Sequence, residues 1–87
     1  MIIHFHNRFI KHRKKLRAGE YARLKERLKL FEQNIFAPLL DNHKLTGKYE
    51  GYRSIDITGD LRALYKELGP DEVLFAYLGT HHELYET

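Results

Sequence analysis

The sequence has no cysteine, no tryptophan and only two prolines among its 87 residues. Without cysteine, neither a disulfide framework nor a thiolate metal site can stabilise so short a chain, and a reducing compartment is expected. The apolar start, residues 1–5, is far shorter than the apolar part of a signal peptide or a membrane span. We therefore expect a cytoplasmic protein that does not enter a membrane and folds as a single domain over residues 1–87.

The net charge is small, but its distribution is uneven. The chain has 15 Lys and Arg against 12 Asp and Glu, a net charge of +3, and a sequence pI of about 9.2. Residues 1–34 hold ten basic and three acidic side chains, a balance of +7, whereas residues 35–87 hold five and nine, a balance of −4. The basic charge is therefore concentrated in the first part of the chain, and this favours a nucleic-acid partner.

The first part of the chain predicts one strand and two helices. Alternating apolar and polar residues predict a strand over residues 2–5, and Asn7 is a plausible N-cap for a mostly basic helix over residues 8–17. Gly19 is expected to end that helix, and a second helix begins near Glu20. Its apolar positions are spaced by three and four, as in an amphipathic helix: Tyr21, Leu24, Leu28, Phe31 and Ile35. The two helices are predicted to form an antiparallel hairpin with a basic exterior.

In the second part of the chain, apolar and polar residues alternate with a period of two. Residues 41–51 have loop composition, and strands are expected over residues 52–57, 61–68 and 73–78, the last as an apolar interior strand. A short helical turn follows over residues 80–85. The predicted fold is α+β, with an N-terminal strand, a helical hairpin, and a three-stranded antiparallel meander. The hairpin should cover one face of the sheet and leave the other partly open.

The six histidines do not predict a metal site. His4 and His6 share a strand face, but no carboxylate or cysteine lies nearby in sequence to complete a zinc ligand set. His81 and His82 are adjacent, so on a helix they point about 100° apart and are poor joint ligands. The common phosphate-binding, zinc-protease and thiol motifs are missing from the sequence as well. We expect neither a metal nor another cofactor.

Polar side chains of the second half could carry chemistry because they lie in loops and at strand ends. They are His43, Arg53, Asp56, Asp60, Arg62 and His81. Histidine can move protons near neutral pH, and arginine can stabilise charge on phosphorus, so such a group could cleave RNA through attack by the ribose 2′-oxygen. Spacing alone leaves a structural interpretation open, in which Asp60 is a turn residue, Arg62 an exposed strand residue and His81 a helix-capping residue.

Four short segments resemble the YafQ branch of the RelE/ParE toxin superfamily. They are residues 42–47, 51–57, 60–65 and 79–85, which contain the pattern H-x-L-x-G followed by G-x-R and, near the end, G-T-H-x-x-L-Y. These elements are specific in combination, and the N-terminal strand and helices agree with the same fold. The resemblance implies the toxin of a type II toxin–antitoxin pair, a ribosome-dependent endoribonuclease that cuts mRNA.

The resemblance also implies partners and a location. A cognate antitoxin, acidic where it neutralises the toxin, and the ribosome with its mRNA would be the partners, and the basic helical hairpin would contact ribosomal RNA. Superfamily membership leaves an alternative open, because ParE-type relatives share the fold and inhibit DNA gyrase without cutting RNA. An inactive module that binds only the antitoxin is a further alternative.

Roles are carried over by matching positions. The catalytic positions fall on His43, Asp60 and His81, of which His81 is the expected proton donor. Tyr85 is the aromatic side chain expected beside the substrate, and Arg53 and Arg62 are the candidates for phosphate contact. Asp56 departs from the family because the branch often has a histidine there. It is kept as a candidate base or substrate-contacting residue.

Overall fold

The structure, a computed structural model, describes residues 1–85. The strands are β1 Ile2–Phe5, β2 His43–Lys44, β3 Arg53–Asp56, β4 Leu61–Gly69 and β5 Glu72–Thr80. The helices are α1 Asn7–Lys14, α2 Ala18–Gln33 and α3 His81–Tyr85, and two short 3₁₀ turns lie at Pro38–Leu40 and Gly47–Tyr49. The predicted α+β class and order of elements are confirmed.

These strands form one sheet in the order β1-β5-β4-β3-β2. β1 pairs in parallel with β5, and the other neighbours are antiparallel. β5 therefore lies in the interior of the sheet, as its continuous apolar sequence predicts. The segment 41–51, expected to be a loop, instead contains β2 and a 3₁₀ turn. Two residues with no apolar alternation are too short a strand to be found from the sequence pattern.

One face of the sheet packs against the helices through a core of aromatic rings. Phe31 of α2 meets Tyr65 and Phe75 edge to face, with ring centroids 4.8 and 5.2 Å apart. Phe9 of α1 joins the same cluster and is fully buried. Burying a side chain of this kind contributes about 1.5–3 kcal/mol relative to leaving it exposed. The predicted apolar stripe of α2 is confirmed in the middle of the helix, whereas Tyr21 at the start of the stripe is 42% exposed.

The start and end of α1 differ from the expected positions. The N-cap is His6 rather than Asn7, since His6 has extended backbone angles and its Nδ1 accepts a hydrogen bond from the Arg8 N–H at 3.0 Å. Asn7 is the first residue inside the helix. The helix ends at Lys14, three residues before its predicted end, where the backbone N–H groups of Lys15 and Leu16 donate to the carbonyls of His12 and Arg13 and close a tighter last turn.

Gly19 does not end a helix, and that prediction is wrong. It lies in the first turn of α2, which begins at Ala18, and the break between the helices is the three-residue link 15–17. The Glu20 carboxylate accepts a hydrogen bond from the Arg17 backbone N–H at 3.1 Å, which stabilises the start of α2. A glycine costs about 1 kcal/mol relative to alanine inside a helix, and local capping of this kind offsets it.

The face of the sheet opposite α1 and α2 is partly covered by α3. Leu84 of α3 packs against Tyr49 and Leu64 in a second, smaller apolar cluster. Thr80 caps the helix: its hydroxyl accepts from the Glu83 N–H, and the Glu83 carboxylate accepts from the Thr80 N–H at 2.8 Å. The rest of this face, toward β2 and β3, is open. None of the helices in residues 1–85 is long and apolar enough to cross a membrane.

A candidate active site on the open face of the sheet

The alternation of β3 decides which polar side chains reach the open face. Ile55 points into the helix-covered core, so its neighbours Ser54 and Asp56 lie on the opposite face. The pairing of β3 with β4 places Asp56 across from Arg62, and the pairing with β2 places Ser54 across from His43. Strand register alone therefore groups an imidazole, a hydroxyl, a carboxylate and a guanidinium on one surface.

A shallow depression of about 320 Å³ lies on this surface. Its lining consists of Asp41, His43, Leu45, Ser54, Arg62, His81 and Tyr85. Four of the seven candidate residues from the sequence are among them, although they come from β2, β4 and α3. Three other depressions on the surface are larger, but this one brings together two histidines and an arginine.

His43 is held in one tautomer by the backbone. Its Nδ1 lies 2.7 Å from the carbonyl oxygen of Asp41. A carbonyl can only accept, so Nδ1 carries the proton, and Nε2 of the neutral ring keeps its lone pair. Asp41 has a φ of 45°, in the left-handed region that aspartate tolerates better than most residues. The ring is about half exposed and can act as a proton acceptor toward a ligand in the depression.

His81 and Tyr85 are presented by the first and last residues of α3. Their rings lie 4.8 Å apart, one turn of helix from each other. The His81 backbone N–H donates to the Asp60 carbonyl at 3.0 Å, which joins the start of the helix to the turn between β3 and β4. At the other end of α3, the buried Tyr49 hydroxyl donates to the Leu84 carbonyl at 2.9 Å. Both ends of this short helix are therefore fixed.

Arg62 is positioned by the turn that precedes its strand. Its Nη1 donates to the carbonyls of Thr58 and Leu61 at 3.0 and 3.3 Å, and its Nη2 donates to the carbonyl of Gly59 at 3.2 Å. Its Nε lies 3.0 Å from Asp56 Oδ1. Three of the five N–H donors of the guanidinium are therefore used by carbonyls, the Nε–H lies beside Asp56, and one Nη2 hydrogen remains for a ligand in the depression.

Asp56 is a counter-ion to Arg62 in this arrangement. Burial raises the pKa of the Asp56 carboxyl, and the attraction of the Arg62 guanidinium opposes that rise without cancelling it. The Oδ1 atom is buried and accepts no hydrogen bond from the described residues, since the Arg62 N–H is close to it but badly directed. The carboxylate therefore neutralises part of the Arg62 charge at the edge of the depression.

Asp60 and Arg53 are not brought into the depression. Asp60 is exposed in the turn after β3, and the contact it makes with the site runs through its backbone carbonyl to His81. Arg53 lies on the other face of β3, where its Nε donates to Asn42 Oδ1 at 2.7 Å and its guanidinium stacks 5.3 Å from the Phe36 ring. Arg53 and Arg62, the two candidates for phosphate contact, are therefore on opposite faces of the sheet.

Three lining residues were not found from the sequence: Asp41, Leu45 and Ser54. Asp41 and Leu45 flank β2, which the sequence pattern did not show. Ser54 could have been found, since it lies two residues before Asp56 and so shares its strand face.

The histidines and carboxylates of the described residues do not form a metal-ligand set. Within residues 1–85, no group of three or more His, Asp or Glu side chains is placed to bind a metal ion. The pairing of β1 with β5 does bring a carboxylate to His4, whose Nε2 lies 2.6 Å from Glu72 Oε2. This contact between two residues joins β1 to β5 near the edge of the sheet, and neither residue lines the depression.

Two helices on one face of a mainly antiparallel sheet are the fold of the RelE/ParE class of small toxins. The chain belongs to one family within it: the sequence model of the bacterial toxin of type II toxin–antitoxin systems, YafQ, matches residues 1–86. A comparison with curated proteins found no match.

Solved structures agree with this assignment at the level of the fold. A YoeB/ParE toxin from Agrobacterium tumefaciens is 19% identical with a TM-score of 0.78, over 93% of this chain and 99% of that one. YafQ from E. coli is 24% identical with a TM-score of 0.75, over 95% and 96%. The E. coli DinJ–YafQ complex contains a chain that is 25% identical with a TM-score of 0.73, over 95% and 96%.

Proposed function

We propose that this toxin is an endoribonuclease that cuts mRNA on the ribosome. The observation that carries the proposal is the convergence of His43, Arg62 and His81 on one depression, from three separate elements. Two imidazoles and a guanidinium are the groups needed to move protons and to stabilise charge during attack on a phosphodiester.

The proposed reaction breaks one P–O bond and forms another. His43 Nε2 takes the proton from a ribose 2′-hydroxyl, and the 2′-oxygen attacks the adjacent phosphorus. The remaining Arg62 Nη2 hydrogen binds an oxygen of the phosphoryl group as its charge grows. His81, in its protonated form, gives a proton to the departing 5′-oxygen. The products are a 2′,3′-cyclic phosphate and a 5′-hydroxyl, and proton exchange with water restores both rings.

The ribosome is proposed to position the substrate. The depression is shallow and offers few groups that could hold an RNA strand by itself. The basic residues of α1, α2 and their link are mostly exposed, and we assign to them the contact with ribosomal RNA. Binding through Lys and Arg to phosphates releases counterions, so ribosome affinity should fall steeply as salt rises.

The cognate antitoxin is the proposed protein partner. One structural neighbour is the E. coli DinJ–YafQ complex, and another is a YoeB–YefM complex from Staphylococcus aureus. A partner segment with acidic side chains would match the basic helices. The proposed location is the cytoplasm, where ribosomes and mRNA are found.

A second candidate function is an antitoxin-binding module without nuclease activity, or a toxin that inhibits gyrase. The pairing of Arg62 with Asp56 favours it, because a carboxylate at this position reduces the positive charge available to a phosphate. The exposed position of Asp60, outside the depression, points the same way.

Mapping of transcript 5′ ends after induction separates the candidates. New ends within open reading frames, seen with the wild-type toxin and lost in His81→Ala, are the expected result. Intact transcripts together with inhibited supercoiling by gyrase would support the second candidate. Folding of the His81→Ala protein is checked by circular dichroism, and its ribosome binding by co-sedimentation.

A further inference from the structure

Ser54, the one serine in the sequence, has a hydroxyl with no assigned use. It is 1% exposed, yet it lines the depression. Its Oγ accepts or donates no hydrogen bond with any described residue. Buried polar groups are nearly always paired, because an unpaired one costs stability. A hydroxyl kept in this state at the floor of a depression therefore points to a ligand that pairs with it.

The strand register shows what kind of ligand fits. Ser54 stands directly across from His43, a pairing that places Cβ atoms about 4.5–5.5 Å apart. Arg62 is its diagonal neighbour on β4, at roughly 7–8 Å. The hydroxyl thus lies between the group assigned to take the 2′-proton and the group assigned to the phosphate. An oxygen bound there would be within reach of both.

We propose that the Ser54 hydroxyl contacts the substrate and donates a hydrogen bond to a non-bridging oxygen of the phosphate that is cut. This inference rests on the proposed nuclease function. Arg62 has one Nη2 hydrogen left for the phosphate, and Asp56 beside it can only accept when ionised. A neutral donor at position 54 supplies the second hydrogen bond that fixes the phosphate between the two histidines. Hydrogen bonds to a charged acceptor are among the stronger ones.

The test is Ser54→Ala, measured for cleavage and for stability together. Single-turnover cleavage of mRNA on purified ribosomes should fall roughly 10- to 100-fold, the loss expected for one hydrogen bond to a charged group. The urea midpoint of unfolding should stay unchanged or rise, since the substitution removes a buried hydroxyl that has no partner. A fall in cleavage with a matching fall in stability would show a structural role and overturn the inference, as would cleavage at the wild-type rate.

Thr46→Ala is the matched control, because it removes an exposed hydroxyl outside this depression and should leave cleavage unchanged. Ser54→Thr keeps the hydroxyl and should recover most of the cleavage that Ser54→Ala loses. Its cleavage is compared with that of Ser54→Ala.

A binding arm separates failure of this inference from failure of the proposed function. An mRNA with a 2′-O-methyl group at the cleavage site cannot be cut and is bound to purified ribosomes, and the affinities of wild type and Ser54→Ala for this complex are compared. The expected result is affinity at least several-fold weaker in Ser54→Ala. Equal affinity in the two proteins, or binding by neither, overturns the role of Ser54. Binding that depends on Ser54 in a protein that cuts no mRNA would instead contradict only the nuclease function.

Discussion

Removing a single hydroxyl from Tyr49 tests how the proposed proton donor is held in place. The Tyr49 hydroxyl donates to the Leu84 carbonyl across 35 residues of chain, in a buried environment. Its ring also meets the Tyr85 ring edge to face, with centroids 5.7 Å apart. Tyr49→Phe keeps the ring and its contacts and leaves the Leu84 carbonyl without its partner.

The expected size of the effect follows from the burial of this bond. Leaving a buried acceptor unpaired costs about 1–3 kcal/mol. α3 has five residues, too few for a helix to persist by its own hydrogen bonds. The cost should therefore appear as easier local opening of α3, by a factor of roughly 5–150 in the opening equilibrium. The strands of the sheet core should be much less affected.

Hydrogen–deuterium exchange measured by mass spectrometry provides the assay. Peptides that contain α3 should exchange faster in Tyr49→Phe, while peptides from β4 and β5 exchange at nearly the wild-type rate. Tyr21→Phe is the control. Tyr21 is 42% exposed, so removing its hydroxyl should change exchange neither in α3 nor in β4 and β5. Unchanged exchange in α3, or an equal increase throughout the sheet, would refute the idea that Tyr49 fixes this helix.

Two further predictions concern stability. Asp56→Asn should unfold at the same or a higher urea concentration than wild type at pH 7. Burial raises the pKa of the Asp56 carboxyl in the folded protein above its ordinary value of 3.8. The folded protein therefore loses stability as the pH rises from 3.8 through that raised pKa and the carboxyl becomes charged. Urea titrations of both proteins at pH 7 and pH 3 check this. A variant that is less stable than wild type at pH 7 but equally stable at pH 3 would contradict it. Phe31→Ala should lower the free energy of unfolding, measured with urea, by about 3–5 kcal/mol. The control Phe36→Ala, at an exposed position, should lower it by less than about 1 kcal/mol. Equal losses in the two variants would show that the aromatic core is placed wrongly.

Most of the fold could be predicted because its signals are local. The alternating and continuous apolar strands of the second half and the stripe of α2 each bury one side, so their periods appear in the sequence. The errors fall where tertiary contacts decide. α1 ends at Lys14, inside the stretch predicted to be helical, while Leu16 beyond it still packs against the core. The pairing of β2 with β3 creates a strand from two residues whose sequence carries no alternation.

The candidate site was predictable in its residue types but not in its geometry. His43 and His81 lie in motifs, and both line the depression. Arg53 and Arg62 look alike in the sequence, since each lies in a strand among apolar residues, and only the register of β3 with β4 shows that they are on opposite faces. The Nδ1–H of His43 and the link from Tyr49 to α3 depend on backbone carbonyls, which no sequence motif reveals.

The most direct test of the central claim is single-turnover cleavage of an mRNA bound to purified ribosomes, with the product ends identified by mass spectrometry. The wild-type toxin should leave a 2′,3′-cyclic phosphate and a 5′-hydroxyl. His43→Ala and His81→Ala should each cut about 10²- to 10⁴-fold more slowly while remaining folded and bound to ribosomes. Cleavage by both variants at the wild-type rate, or product ends that carry a 5′-phosphate, would contradict the assignment of the depression as the active site.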